Sequence, residues 1–232
     1  MCGRFFLSRS SAEVARAFDL AEEPTLAPHY NIAPSQRVPV IRAQPDGGTR
    51  RVLDSMQWGF VPRFAKSRRE GTRPINARAE TVATTPLFRA AFARRRGVVP
   101  ADGFYEWQHR GKSARPFAVR MRDGSLLAMA ALWERFDDEE GALDSCAIVT
   151  TEANSAIAPI HDRMPVLLAP DAVATWLDPT LGDVDPLRAL LRPCPAEWIE
   201  SYPVDRRVND VHCDDARLLE PERDLFSSGS DA

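Results

Sequence analysis

The chain begins Met1-Cys2-Gly3-Arg4, so removal of the initiator methionine leaves a cysteine that carries a free α-amine and a thiol on one residue. An α-amine titrates near about 8 and a thiol near about 8.5, which gives each a nucleophilic fraction close to neutrality. Together the two groups trap aldehydes. The amine condenses with the carbonyl to a Schiff base, and the sulfur then adds to the imine to close a five-membered thiazolidine. A cysteine beside an initiator is often incidental, so this chemistry needs further groups to support it.

Three polar islands among apolar segments supply candidates. In Ala101-Asp102-Gly103-Phe104-Tyr105-Glu106-Trp107, an acid sits between two aromatics in what reads as a buried strand. Apolar surroundings disfavour the carboxylate and raise its pKa toward neutrality, which suits a proton shuttle; the competing reading is a structural salt bridge to an arginine. Asp102-Gly103 is a bend signal, and Asp102 is assigned to the turn. In Pro74-Ile75-Asn76-Ala77-Arg78-Ala79-Glu80, Asn76 can donate and accept at once. Arg78 lies two residues on, so in an extended segment both point the same way, as a sugar-phosphate contact requires; alternatively they are a turn former and a surface charge. In Ile160-His161-Asp162-Arg163-Met164-Pro165, which follows Thr150-Thr151-Glu152-Ala153-Asn154, the imidazole can exchange a proton near neutrality. A satisfied core histidine is the alternative there.

The elements that must hold these islands read as mixed α and β, strands dominating. Ser10-x-x-Glu13 is a capping box that opens a helix near residues 11 to 19. Arg37 to Arg42 and Arg51 to Gln57 flank Asp46-Gly47-Gly48 as a hairpin. Thr85-Pro86 is an N-cap and first-turn proline, with Leu87, Phe88, Ala91 and Phe92 as the buried stripe of a second helix that stops near Gly97. Val98 to Gln108, Arg115 to Arg122 and Ser125 to Trp133 read as an antiparallel meander, and Ser145 to Thr151 as another strand. Short helices open at Pro170-Asp171 and Asp185-Pro186. No βαβ alternation appears, so the expectation is an α+β single domain with a largely antiparallel, barrel-like β core flanked by short helices, spanning residues 2–220, and a disordered tail over 221–232.

Composition narrows the class. The 232 residues are 44% hydrophobic and 27% charged, enough for a sizeable core. The longest apolar stretch, Leu126 to Trp133, is too short to span a bilayer, and no export signal is evident, so the expected location is cytoplasmic, nucleoid-associated if the source is bacterial. Cys2, Cys146, Cys194 and Cys213 are far apart without a C-x-x-C pair, which fits a reducing compartment and predicts no metal. The net charge of −3 hides segregation: ten basic residues against two acidic lie between Arg63 and Arg96, whereas Glu134 to Asp144 holds six acidic residues against Arg135 alone. A basic block is the footprint of a polyanion-binding face or of a solvated helix and loop.

Six blocks in order, Met1-Cys2-Gly3-Arg4, Tyr30-Asn31-Ile32-Ala33-Pro34, Trp58-Gly59-Phe60-Val61-Pro62, Pro74 to Glu80, Ala101 to Trp107 and Ile160 to Pro165, resemble the signature of the SRAP family, the SOS response-associated peptidase-like, abasic-site processing proteins. The likeness runs from Cys2 to about Asn209. It implies an enzyme that shields abasic sites in single-stranded DNA by a covalent DNA-protein crosslink, the thiazolidine between Cys2 and the ring-opened sugar aldehyde. On that resemblance Glu106 handles protons for the amine and imine, Asn76 positions the cysteine and sugar, and His161 promotes sugar-ring opening. Arg4 and Arg78 hold flanking phosphates, and Trp58, Phe64, Thr150 and Arg163 complete the DNA-contact set. The resemblance also implies a thiol peptidase-like self-processing that exposes Cys2, although ordinary methionine removal serves equally. No cofactor or metal is implied, the DNA is the partner, and a monomer is expected. One departure stands out: relatives carry tryptophan in the wedge where this chain has Phe64, a smaller π-face without an indole N–H. The acidic stretch Asp137 to Glu140, read as a loop, has no assigned counterpart.

Two other classes stay open on the residues themselves. An N-terminal nucleophile amidohydrolase would use Cys2 with its own amine as base and attack amides. A noncatalytic reader of damaged or modified bases would bind through the basic block, Trp58 and Phe64 and would survive loss of Cys2.

Overall fold

The structure, a computed structural model, describes residues 2–44, 51–69, 71–111 and 113–222. In chain order its strands are β1 (Phe5–Leu7), β2 (His29–Ile32), β3 (Arg37–Ala43), β4 (Arg51–Trp58), β5 (Asn76–Arg78), β6 (Arg96–Ala101), β7 (Gly103–Arg110), β8 (Ser113–Met121), β9 (Leu127–Asp138), β10 (Gly141–Glu152), β11 (Arg163–Pro165) and β12 (Ile199–Pro203). Four short helices accompany them among the described residues: α1 (Ser11–Ala17), α2 (Arg89–Arg94), α3 (Ala172–Leu177) and α4 (Val184–Ala189).

One sheet has the spatial order β12-β8-β7-β1-β2, and its pairings are antiparallel. The other follows β11-β10-β4-β3-β6-β9, and because β10 also pairs β9, the strands β4, β3, β6, β9 and β10 close on themselves. Closure removes free edges from this part of the sheet. The expected barrel-like, largely antiparallel α+β core is therefore present. Its parallel pairings are β10 with β4 and β10 with β5.

Alternation along the strands explains how the two sheets share one interior. On β1 and β7, Phe5 and Phe104 enter the main core, whereas Phe6 and Tyr105 point to the opposite face and meet Ala118, Val204, Val208 and Leu218. The first sheet is thus buried on both sides, with the C-terminal segment as its second cover. Gly103 is required at the β7 entrance: a Cβ there would lie 2.4 Å from the Phe6 ring and 2.4 Å from the Val119 carbonyl oxygen.

Several sequence expectations need correction. The run Val98 to Gln108 is two strands, β6 and β7, in different sheets, because the chain changes sheet at Asp102. Asp102 does make the bend, and its carboxylate also receives the Ser8 N–H at 2.6 Å, the Arg9 N–H at 3.2 Å and the Arg9 guanidinium at 3.0 Å, tying β1 to the corner. The meander holds only for β7 and β8; β9 leaves to pair with β6 and β10. Helix α2 starts at Arg89, after a turn, and has no side-chain cap; the Thr85 hydroxyl donates to the Thr81 carbonyl at 2.9 Å. Asp183, not Asp185, caps α4. The capping box of Ser10 and Glu13 forms as expected, with α1 ending at Ala17. Strands β3 and β4 pair down to Ala43↔Arg51, and the Asp46-Gly47-Gly48 turn lies outside the described residues. The acidic stretch is the end of the β9–β10 hairpin, with Asp137 and Asp138 still in β9. At the C-terminus Pro221 bridges Val204 and the Glu222 N–H bonds Pro203, so the expected disorder does not begin at 221. Residues 223–232 lie outside the described set.

Candidate covalent centre and nucleic-acid face

Residues far apart in sequence are drawn to Cys2 by the two sheets. Cys2 precedes β1 and is fully buried within the main core. Asn76 opens β5, whose parallel register with β10 (Ile148↔Asn76) fixes its height, and its Nδ2 donates to the Cys2 carbonyl at 2.9 Å. Asn76 Oδ1 is buried with no hydrogen-bond partner among the described residues, an acceptor held beside Cys2. Glu106, on β7, is buried on the face that also carries Phe104. Two residues on, Gln108 Nε2 donates to the Pro159 carbonyl at 2.8 Å and so holds the segment leading to His161 against the same strand.

Burial sets the electrostatics. It raises the Glu106 pKa above the ordinary carboxylate range, and the nearby His161 charge opposes that rise. The Cys2 thiol is pushed up as well, by its burial first and by the Glu106 charge second, with the Arg4 backbone N–H acting weakly the other way. This corrects the expectation of a thiol reactive without help: the buried sulfur keeps its proton until a base removes it. His161 Nδ1 lies 2.9 Å from the Arg163 N–H and 2.9 Å from Asp162 Oδ1. It accepts from the first when neutral and donates to the second when protonated.

The residues assigned to DNA contact separate into two groups. Phe64 is 69% exposed, one of two large hydrophobic side chains that are so among the described residues. Arg63 and Lys66 beside it are exposed, as is Arg78 on β5. Of the others, Trp58 and Thr150 are buried, and the partly buried Arg4 and Arg163 are hydrogen-bonded within the protein. Trp58 is 0% exposed, edge-on to Phe5 at 5.3 Å, and its indole N–H bonds the Ile75 carbonyl at 2.9 Å. It is a core residue and has no face for a base, which overturns its assignment as a DNA contact. The Thr150 side chain is buried too, while its carbonyl accepts from Ala79 at 2.8 Å and Arg163 at 2.7 Å. Arg163 forks onto Glu80 at 2.6 and 3.0 Å, a bidentate pair that fixes the loop after His161. Arg4 donates to Asn31 Oδ1 at 2.7 Å and to the Val208 carbonyl at 2.9 Å, and lies over the Trp107 ring at 5.8 Å.

Asn31 was not singled out from sequence as a site residue, yet it is buried and its amide reaches three carbonyls, Val208, Asp210 and Cys213, while its oxygen holds Arg4. The signal available was a polar residue inside the apolar Tyr30-Asn31-Ile32 run. Gln108 had a similar signal, two residues beyond Glu106 on one strand face.

The basic block is also partly neutralised. Arg68 pairs with Asp138, Arg69 with Glu140 and Arg95 with Glu134, all on the acidic hairpin. Arg96 is buried and caps the last carbonyls of α2 and α3, bonding Phe92 and Ala93 at 2.7 Å each and Trp176 at 2.7 Å. A groove of about 780 Å³ between Leu167 and Trp198 contains none of the candidate site residues. Among the described residues no cluster of His, Cys, Asp and Glu is arranged to hold a metal, and no helix is long and apolar enough to cross a membrane.

The chain is similar to known proteins over nearly all of its length. The chain is 38% identical to the abasic site processing protein YoaM of Bacillus subtilis, over 97% of this chain and all of the relative. It is 31% identical to the abasic site processing protein YedK of Escherichia coli, over 95% of this chain and all of the relative. A crystal structure of a Bacteroides thetaiotaomicron protein shares the fold with a TM-score of 0.85 at 24% identity, covering 96% of this chain and all of that one. The family model of SOS response associated peptidase (SRAP) matches residues 1–211, and the chain belongs to that family.

Proposed function

We propose that this protein processes abasic sites in DNA, capturing the ring-opened sugar in single strands as a thiazolidine on Cys2. The observation that carries the reading is the convergence of the Asn76 amide on the Cys2 backbone beside the buried Glu106 carboxyl. Relatives named as abasic site processing proteins support the substrate class.

The steps follow from the groups present. Loss of Met1, by self-cleavage or by an aminopeptidase, frees the Cys2 amine. His161 moves a proton at the sugar hemiacetal and opens the ring to the aldehyde. The amine adds to C1′, and protonated Glu106 gives its proton to the departing hydroxyl, which leaves as water with formation of the protonated imine. The Glu106 carboxylate then takes the thiol proton as sulfur bonds to C1′, which leaves the ring nitrogen as a neutral secondary amine and Glu106 protonated again. One water is released and no electrons are transferred. Asn76 fixes the Cys2 backbone and offers Oδ1 to the amine. Phe64 stacks on an unpaired base and Arg78 holds a phosphate, while Arg4 orders the entry to Cys2.

The test is incubation with single-stranded DNA bearing one abasic site, followed by denaturing electrophoresis. A denaturation-resistant complex is expected from the mature chain and none from Cys2→Ala or from a protein with an extra residue before Cys2. A normal yield from the amine-blocked protein would sink the mechanism.

A further inference from the structure

Among the described residues, the loop that displays Phe64 has no helix or strand of its own between β4 and β5, yet its aromatic is held out in solvent among cations. Its anchorage comes from the far end of the β9–β10 hairpin. Val61 packs with Phe136 and Leu143, Ala65 leans on that cluster, and the Val61 N–H bonds Ser145 Oγ at 2.9 Å. The other end of the loop is clamped by charge. Arg68 forks onto both carboxylate oxygens of Asp138, with Nε to Oδ2 at 2.8 Å, and reaches the Gly141 carbonyl at 2.6 Å. Arg73 in turn donates to the Arg68 carbonyl. Arg69, by contrast, meets Glu140 through one 2.8 Å contact while 77% exposed, the kind of surface pair that holds little.

We infer that Asp138 is a positioning residue for nucleic-acid recognition: through Arg68 it fixes the loop so that Phe64 stands ready to stack on a base next to the lesion. The inference rests on the proposed function and extends it, since it makes the acidic hairpin part of the recognition apparatus and not a repulsive surface. A preorganised aromatic loses less freedom on binding than one on a loose loop. Asp138 is held below the ordinary carboxylate range chiefly by its hydrogen bonds from Arg68, so the clamp remains charged throughout the neutral range.

The experiment uses the full chain and a single-stranded oligonucleotide with a tetrahydrofuran abasic analogue, which lacks an aldehyde, flanked by fluorescent 2-aminopurine. Stacking by Phe64 quenches the fluorescence, and Phe64→Ala is expected to lose the quench and weaken binding by about five-fold or more. Asp138→Asn should lose about half the quench in the Phe64 background and none further in Phe64→Ala, the non-additivity expected of coupled residues. The exchanged pair Arg68→Asp with Asp138→Arg should recover quenching, which a nonspecific folding defect would not. A full quench in Asp138→Asn, or no recovery in a folded exchanged pair, overturns the inference while leaving the function standing. Identical behaviour of the unaltered chain and Phe64→Ala overturns the recognition role of Phe64 and the inference with it.

Discussion

The centre around Cys2 and the loop around Phe64 use opposite physics. At the centre, Cys2, Glu106 and Asn31 are buried, and each polar group is either bonded in place or shifted in pKa by lack of water. In the loop, Phe64, Arg63, Lys66 and Arg69 are exposed and none belongs to a strand or helix. The proposed covalent capture would gain from burial, because electrostatic interactions and hydrogen bonds among Glu106, the amine and the thiol are stronger where water does not compete. Recognition of a nucleic acid needs accessible π-face and mobile cations instead. The two regions are joined by β10, which pairs with β5 beneath Asn76 and carries, at its other end, the hairpin that clamps the loop.

This contrast can be broken at its strongest point first. Glu106→Gln should slow crosslinking by about 10²-fold or more, with noncovalent affinity for the tetrahydrofuran oligonucleotide retained; a crosslinking rate unaltered between about pH 6 and pH 8 would remove Glu106 from proton transfer. The same variant should unfold at higher temperature at neutral pH. Since burial raises the folded pKa of Glu106 above its unfolded value, the native state loses stability as pH rises from the unfolded pKa through the folded one, and the neutral amide escapes that loss. The advantage should vanish in acid, as calorimetry across pH would show.

Trp58→Ala comes next, with about 3–5 kcal/mol lost from stability. Its effect on DNA binding should track unfolding alone, and a folded variant with a selective binding defect would restore Trp58 to the interface. Asn76→Ala should lower the crosslinking rate by about ten-fold, roughly the loss of one charge-relevant hydrogen bond, without changing the unfolding midpoint by a comparable amount. Arg78→Ala is the mildest: binding weakens several-fold and the slope of log affinity against log salt drops by about 1. An unchanged slope would take Arg78 off the phosphate.

Much of this was legible in the chain because the signals were local. The capping box at Ser10 and Glu13, the bend at Asp102-Gly103 and the burial of Glu106 between aromatics each depend on neighbours a few residues away. Trp58 misled because an aromatic before glycine reads the same whether it faces solvent or the Phe5 ring. Thr150 and Arg163 likewise gave no sign that one would be buried and the other would fork onto Glu80, 83 residues away. The acidic stretch looked like a loop for want of any local mark that Asp138 would complete an antiparallel ladder with Gly141.

By itself the sequence determined the chemistry available: an aminothiol at Cys2, an acid among aromatics at Glu106, an amide at Asn76 and an imidazole at His161, since functional groups are properties of residues. It also determined that strands would dominate, because alternation and turn residues act over short range. Only the tertiary structure decided which of these groups meet and in what medium. The parallel pairing of β5 with β10 brings Asn76 to Cys2, burial keeps the thiol protonated, and the folding of the acidic hairpin onto the basic loop removes charges that the composition had counted as free. Contacts across such separations depend on sheet register and closure, and these are set by the whole core at once.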